Sequence, residues 1–176
     1  MQKVLEVVFQ FPEKEFSLSD LAKEAGVAKA NIGKILDELE KAEMIDKVEL
    51  PKIWRIKAKQ QSPNFRKMKI VRNMNLVNQS GLAEFLNTMY DNPKAIVLFG
   101  SFRWGEDISN SDIDVAIETE NIRKYISMKL LQLPEFEKIL GRRVQIHAFN
   151  RRGVDVNVFN NIANGIVLSG FLEVKP

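Results

Sequence analysis

The 176-residue sequence has no cysteine, a single histidine and no long apolar run, and each shortage closes off a class of function. Without cysteine there are no disulfides, no thiolate nucleophile and no cysteine zinc site, a pattern that fits a reducing, cytoplasmic setting. No stretch is apolar for long enough to cross a bilayer, so no membrane partner is expected. The opening residues, Met1-Gln2-Lys3-Val4-Leu5-Glu6, put an acid inside the apolar run and do not read as a signal peptide. A tail of one charge is missing too. Residues 1–60 carry 11 basic and 11 acidic side chains, residues 61–95 carry 5 and 2, and residues 96–176 carry 10 and 10. The net charge of +3 therefore arises in the middle segment, and any nucleic-acid surface has to be a local patch.

What is present is the composition of a globular protein, 45% hydrophobic and 28% charged, with length for one medium domain or two small ones. The apolar residues Val4, Leu5, Val7, Val8 and Phe9 predict a short helix stopped by Pro12. Ser17 and Asp20 have the spacing of a capping box for a second helix, and Ala25-Gly26-Val27 supplies a turn. A third helix is expected from about residue 28 to 43, with Ile32, Ile35, Leu36 and Leu39 on one face. Two strands, 44–50 and 53–57, follow about a Pro51-Lys52 turn.

That order resembles a winged helix-turn-helix over residues 1–59, and A-G-V-A-K-A-N-I-G-K-I-L-D-E-L-E-K-A-E-M-I is similar to the recognition-helix region of bacterial and archaeal transcription regulators. The resemblance implies double-stranded DNA as partner, with Lys29, Asn31 and Lys34 toward the major groove and Lys52, Arg55 and Lys57 of the wing near phosphates. A dimer on a palindromic site is the matching expectation. Two features stand against DNA. Winged helices also serve as dimerisation modules, and Asp37, Glu38, Glu40 and Glu43 make the later half of the helix acidic. Trp54 reads as wing packing rather than a base contact.

Residues 60–92 read as a helical connector. Ser62-Pro63 starts a helix with proline at its first position, Arg66, Lys67, Lys69 and Arg72 form a basic, solvated face, and Gly81 separates a further helix.

The chemistry is concentrated in Ile96–Glu118. An apolar strand (Ile96 to Phe99) runs into Gly100-Ser101, and a second strand opens with Asp112 and Asp114, which share a face at a period of two. Two carboxylates so close repel unless a cation lies between them, and magnesium favours oxygen ligands. The pattern G-S-x-x-x-G-x(5)-S-D-x-D, carried by Gly100, Ser101, Gly105, Ser111, Asp112 and Asp114, resembles the minimal nucleotidyltransferases of the DNA polymerase beta superfamily.

The resemblance implies that Gly100 and Ser101 hold the terminal phosphates of a nucleoside triphosphate, ATP being the expected one. Asp112 and Asp114 would then bind magnesium or manganese, with Asp112, Asp114 and Ser101 the catalytic set. Gly105 is expected as a backbone necessity and Ser111 as a cap at the start of the acidic strand. The family more often carries a basic residue at position 104, where this chain has Trp104, with Arg103 beside it. Active members have a third carboxylate on a neighbouring strand. Here the candidate strand is 143–149, and the aligned residue is Gln145, an amide that cannot ionise. His147 shares its face, and Asp155 is the nearest later acid. An amphipathic helix pair interrupted at Pro134 is expected over 122–140, and a closing helix over 160–168.

The expected fold is therefore α+β: a winged helix-turn-helix, a connector, and a nucleotidyltransferase domain with a mixed sheet over residues 93–176. Two functions fit. One is a metal-dependent nucleotidyltransferase acting on an unknown acceptor, which by family resemblance includes a partner protein or toxin. The other is a DNA-binding regulator or antitoxin whose transferase fold has become a nucleotide sensor or dimerisation platform.

Overall fold

The computed structural model describes residues 1–51 and 53–174. The chain divides into two compact units, Met1–Lys69 and Ile70–Pro176, and the division falls inside one long helix.

In the first unit, helix α1 (Gln2–Gln10) buries Val4, Val7, Val8 and Phe9. A two-residue strand, β1 (Glu15–Phe16), comes next; its shortness left no periodic trace in the sequence. Helix α2 (Leu18–Glu24) is capped by Ser17, whose Oγ accepts from the Asp20 amide at 3.1 Å and donates to Asp20 Oδ2 at 2.7 Å. The acid thus meets the capping hydroxyl itself. Helix α3 (Lys29–Lys41) buries Ile32, Leu36 and Leu39, the face its spacing predicts. Strands β2 (Ile45–Glu49) and β3 (Trp54–Ala58) form an antiparallel hairpin, and β1 pairs with β3 on the other side, giving the order β1-β3-β2.

Helix α4 (Pro63–Ser80) does begin on Pro63. Lys69 departs from the expected solvated face: it is buried, with Nζ 6.0 Å from the Phe65 ring centroid. Gly81, in the left-handed region at φ 72°, breaks the chain into α5 (Leu82–Met89).

The second unit is built on a five-stranded mixed sheet. It uses β4 (Ala95–Phe99), β5 (Ile113–Glu118), β6 (Ile126–Met128), β7 (Val144–Phe149) and β8 (Ile166–Gly170) in the order β6-β7-β5-β4-β8. Only β5 and β7 run parallel among the described strands. Helices α6 (Gly100–Trp104), α7 (Pro134–Leu140) and α8 (Val156–Ala163) complete it. One sheet face, with Ile96, Leu98, Val115, Ile117 and Ile146, packs against Val77, Leu82, Leu86, Phe102 and Leu140 from the helices. The other face, with Val97, Ala116 and Phe149, is covered by α8 through Ile162 and Phe159. Asp114, Gln145 and His147 alternate onto this more thinly covered face.

Two expectations give way here. The segment 122–140 holds one strand and one helix, because Pro134 starts α7 at its first turn and does not interrupt it. The closing helix ends at Ala163, and Ile166 to Leu168 belong to β8, which Gly165 allows by passing where a Cβ would lie 2.5 Å from the Leu98 carbonyl oxygen.

Candidate metal and nucleotide site

The site is a strand, a turn and a strand closing on one another. Strands β4 and β5 are an antiparallel pair in which Phe99 lies opposite Asp114, so the turn after Phe99 begins beside that carboxylate. Gly100 there has φ +75°, and a Cβ on it would fall 2.4 Å from Asp114 Oδ2. Only glycine lets the backbone pass this close to the acid. One turn later Gly105 ends α6 at φ 68°, and the Glu106 amide returns to Ser101 O at 3.0 Å. Ser111 closes the next turn, its Oγ accepting from the Ile108 amide at 2.9 Å. The loop is anchored from inside by Asp107, which is fully buried and accepts from Asn73 Nδ2 at 2.8 Å; the same amide donates to Phe102 O at 2.9 Å.

Each candidate metal ligand has a neighbour. Arg143 Nε lies 2.8 Å from Asp112 Oδ1 as an ion pair, with Arg143 59% exposed and Asp112 31%. Asp114 Oδ1 is 2.9 Å from His147 Nε2. His147 Nδ1 in turn is hydrogen-bonded to the Tyr125 hydroxyl, and the Phe99 ring meets the imidazole edge-on at 4.9 Å. Burial, and after it the charge of Asp114, holds the Tyr125 hydroxyl above the usual phenol range. Gln145 is the direct neighbour of Asp114 in the parallel register, and its Nε2 donates to Ser127 Oγ at 2.5 Å.

Magnesium commonly takes one or two carboxylates and completes its octahedron with waters and substrate phosphate oxygens. Asp112 and Asp114 supply the number of carboxylates that one such ion takes. A second ion needs a further carboxylate, and the described residues contain no group of three or more His, Asp or Glu arranged to hold a metal. Asp155 is not that acid: it caps α8, accepting from the Asn157 amide at 2.8 Å.

A family model described as polymerase beta, nucleotidyltransferase matches residues 81–170, just over half of the chain. The chain belongs to that family. No curated protein and no solved structure matches it. The polymerase beta match takes in Gly100, Ser101, Gly105, Ser111, Asp112 and Asp114, and it leaves residues 1–80 outside. At position 104 of this polymerase beta family chain, Trp104 is 48% exposed and the Arg103 guanidinium stacks 3.4 Å from its ring centroid.

Sequence reasoning missed Tyr125 and Arg143. Tyr125 sits in the segment that reads as helical. Arg143 meets Asp112 only through the parallel register of β5 and β7, in which 113 pairs with 144.

In the first unit, Lys29, Asn31 and Lys34 lie exposed on α3. Lys57 and Arg55 are exposed on one face of β3, but Arg55 is held by Glu15 through bonds of 2.7 and 3.0 Å. That hydrogen bond keeps the Glu15 carboxyl below its ordinary range. Lys52 lies outside the described residues. Acids of α3 and β2 converge on Lys47, with Asp37 at 2.5 Å, Glu49 at 2.8 Å and Glu40 at 3.5 Å, and its ammonium lies 5.0 Å from the Trp54 ring centroid. The Asp37 bond first, then that of Glu49, raises the Lys47 pKa well above the lysine range. Trp54 packs toward α3, within 3.9 Å of a Cβ placed on Gly33.

A cleft of about 830 Å³ lies at the opposite end of β5, lined by Lys94, Glu118, Glu120 and Arg151. Its charges pair among themselves, Lys94 with Glu120 and Arg151 with Glu118, and neither Asp112 nor Asp114 lines it.

Proposed function

We propose that residues 93–176 bind a nucleoside triphosphate together with one magnesium or manganese ion, and that residues 1–59 are a winged helix-turn-helix that binds double-stranded DNA. The protein is then a nucleotide-responsive DNA-binding regulator. Gly100 and Ser101 hold the terminal phosphates, and Asp112 and Asp114 hold the ion that bridges them. Such an ion neutralises phosphate charge and fixes the phosphates relative to the turn. The observation that supports this reading is the close approach of Gly100 to Asp114, where a Cβ would fall 2.4 Å from Oδ2, so the Gly100-Ser101 turn and the Asp114 carboxylate lie side by side. ATP is the first nucleotide to try.

Binding is favoured over transfer because Gln145, the register neighbour of Asp114, is neutral and cannot act as a base. Transfer of a nucleoside monophosphate to a protein acceptor, such as a toxin partner, is the second reading, and the intact Gly100, Ser101, Asp112 and Asp114 favour it.

Calorimetric titration with each of the four triphosphates, with and without magnesium, is the direct test. Metal-dependent binding is expected, and its absence for every nucleotide sinks the proposal. Label transfer from a radioactive triphosphate in cell extract would promote the second reading. For the first unit, gel retardation of DNA upstream of its own gene should weaken steeply with salt; no retardation at low salt removes the DNA-binding part.

A further inference from the structure

In the second unit, the orientation of Asp114 rests on two residues that do not belong to the phosphate turn or the acidic strand. Its Oδ2 lies against Gly100, and its Oδ1 is 2.9 Å from His147 Nε2. A carboxylate oxygen only accepts, so the Nε2–H of His147 is the donor. A neutral imidazole with its proton on Nε2 has a lone pair on Nδ1, and the Tyr125 hydroxyl is there to donate into it. The imidazole is otherwise wedged: its side chain is 11% exposed, the Phe99 ring stands edge-on to it, and Ala116 is its register neighbour. In that tautomer three side chains from three segments, Asp114 of β5, His147 of β7 and Tyr125 before β6, form one directional chain of donors ending on one carboxylate oxygen.

We propose that Tyr125 and His147 are positioning residues for Asp114. Tyr125 fixes the imidazole tautomer, His147 spends Oδ1, and Oδ2 is left as the oxygen presented to a cation at the Gly100 turn. This rests on Asp114 being the cation ligand of the proposed function. The arrangement matters more here than beside three acids. Asp112 already has Arg143 at 2.8 Å, and Gln145 adds no charge, so Asp114 is the ligand whose direction sets the affinity. Outer partners that orient a ligand typically change metal affinity about 10–100-fold when removed.

His147 is the only histidine in the chain, so its two ring nitrogens are the only imidazole signals in protein labelled with 15N at histidine. The expected spectrum of the wild type has the proton on Nε2 and an accepting Nδ1. In Tyr125→Phe the Nδ1 signal should move toward that of a tautomer mixture. Manganese affinity, followed by the paramagnetic resonance of the free ion, should fall about tenfold or more in Tyr125→Phe and His147→Asn. His147→Gln, whose amide nitrogen reaches the Nε2 position, should retain most of it. A wild-type proton on Nδ1, a Tyr125→Phe spectrum identical to wild type, or equal manganese affinity in His147→Gln and His147→Asn overturns the proposal. The nitrogen spectrum needs no ligand. A wild-type protein that shows the expected tautomer but binds no manganese removes the metal–nucleotide function and leaves the tautomer-fixing role of Tyr125 standing.

Discussion

The first unit keeps its candidate binding groups on the outside, where Lys29, Asn31 and Lys34 stand exposed on α3 and Arg55 and Lys57 stand exposed on β3. The second unit sets its candidates into a sheet face, where Asp114 is 28% exposed and its oxygens already have His147 and Gly100 against them. A surface that attracts phosphate by charge needs only a local excess of mobile cations, and tolerates a loose geometry. A site that holds one ion needs fixed oxygens, and fixing them takes neighbours with directional bonds. Removing one group should therefore do graded damage in the first unit and abrupt damage in the second.

Gly100→Ala is the sharpest way to test that contrast. The new Cβ meets Asp114 Oδ2 and the residue must hold a positive φ, so about 1–3 kcal/mol of strain is expected, with nucleotide and manganese binding down roughly tenfold or more. Calorimetry and a melting curve check it, and native affinity in a folded variant would break the comparison. Arg143→Met works in the opposite direction: with the guanidinium gone from Asp112, manganese affinity should rise about fivefold, the effect of ~1 kcal/mol, as a half-exposed pair allows. In the first unit, Lys29→Ala and Lys34→Ala should each lower the salt slope of DNA binding by about one without abolishing binding. If either alone abolishes it, the graded picture of that surface is wrong.

The smallest effect concerns alkaline pH. The folded pKa values of Lys47 in the first unit and of Tyr90 and Tyr125 in the second are raised, Lys47 by its bonds to Asp37 and Glu49 and the tyrosines by burial. Raised groups lose protons first in the unfolded chain, so their stabilisation is full below about pH 10 and declines as pH rises beyond it. Melting temperature should be flat with respect to these groups at neutral pH and fall above about pH 10, less steeply in Lys47→Met and Tyr125→Phe.

Much of this arrangement is legible without coordinates because it is local. Gly100, Ser101, Asp112 and Asp114 lie within one strand-turn-strand segment, and the period of a strand places Gln145 and His147 on a shared face. What stays hidden is what depends on a distant partner. The strands β1 and β6 have only two and three residues and exist through pairing with β3 and β7, so they leave no periodicity to detect. Tyr125 acquires its role only when β7 brings His147 beneath it. Asp155, an acid shortly after β7, is claimed by a helix terminus, and Arg55, a cation on a hairpin, is claimed by Glu15 of β1. Charge alone does not say which groups remain available.

The pairing of β4 with β5 has a consequence for the order of assembly. These two strands are sequence neighbours, and between them they carry Gly100, Ser101, Asp112 and Asp114. Closing that short loop is entropically cheap, whereas β7 must return alongside β5 over an intervening strand and helix. The Gly100 turn and both carboxylates can thus meet before β7 docks, and Asp114 acquires its final direction only when β7 brings His147 to it.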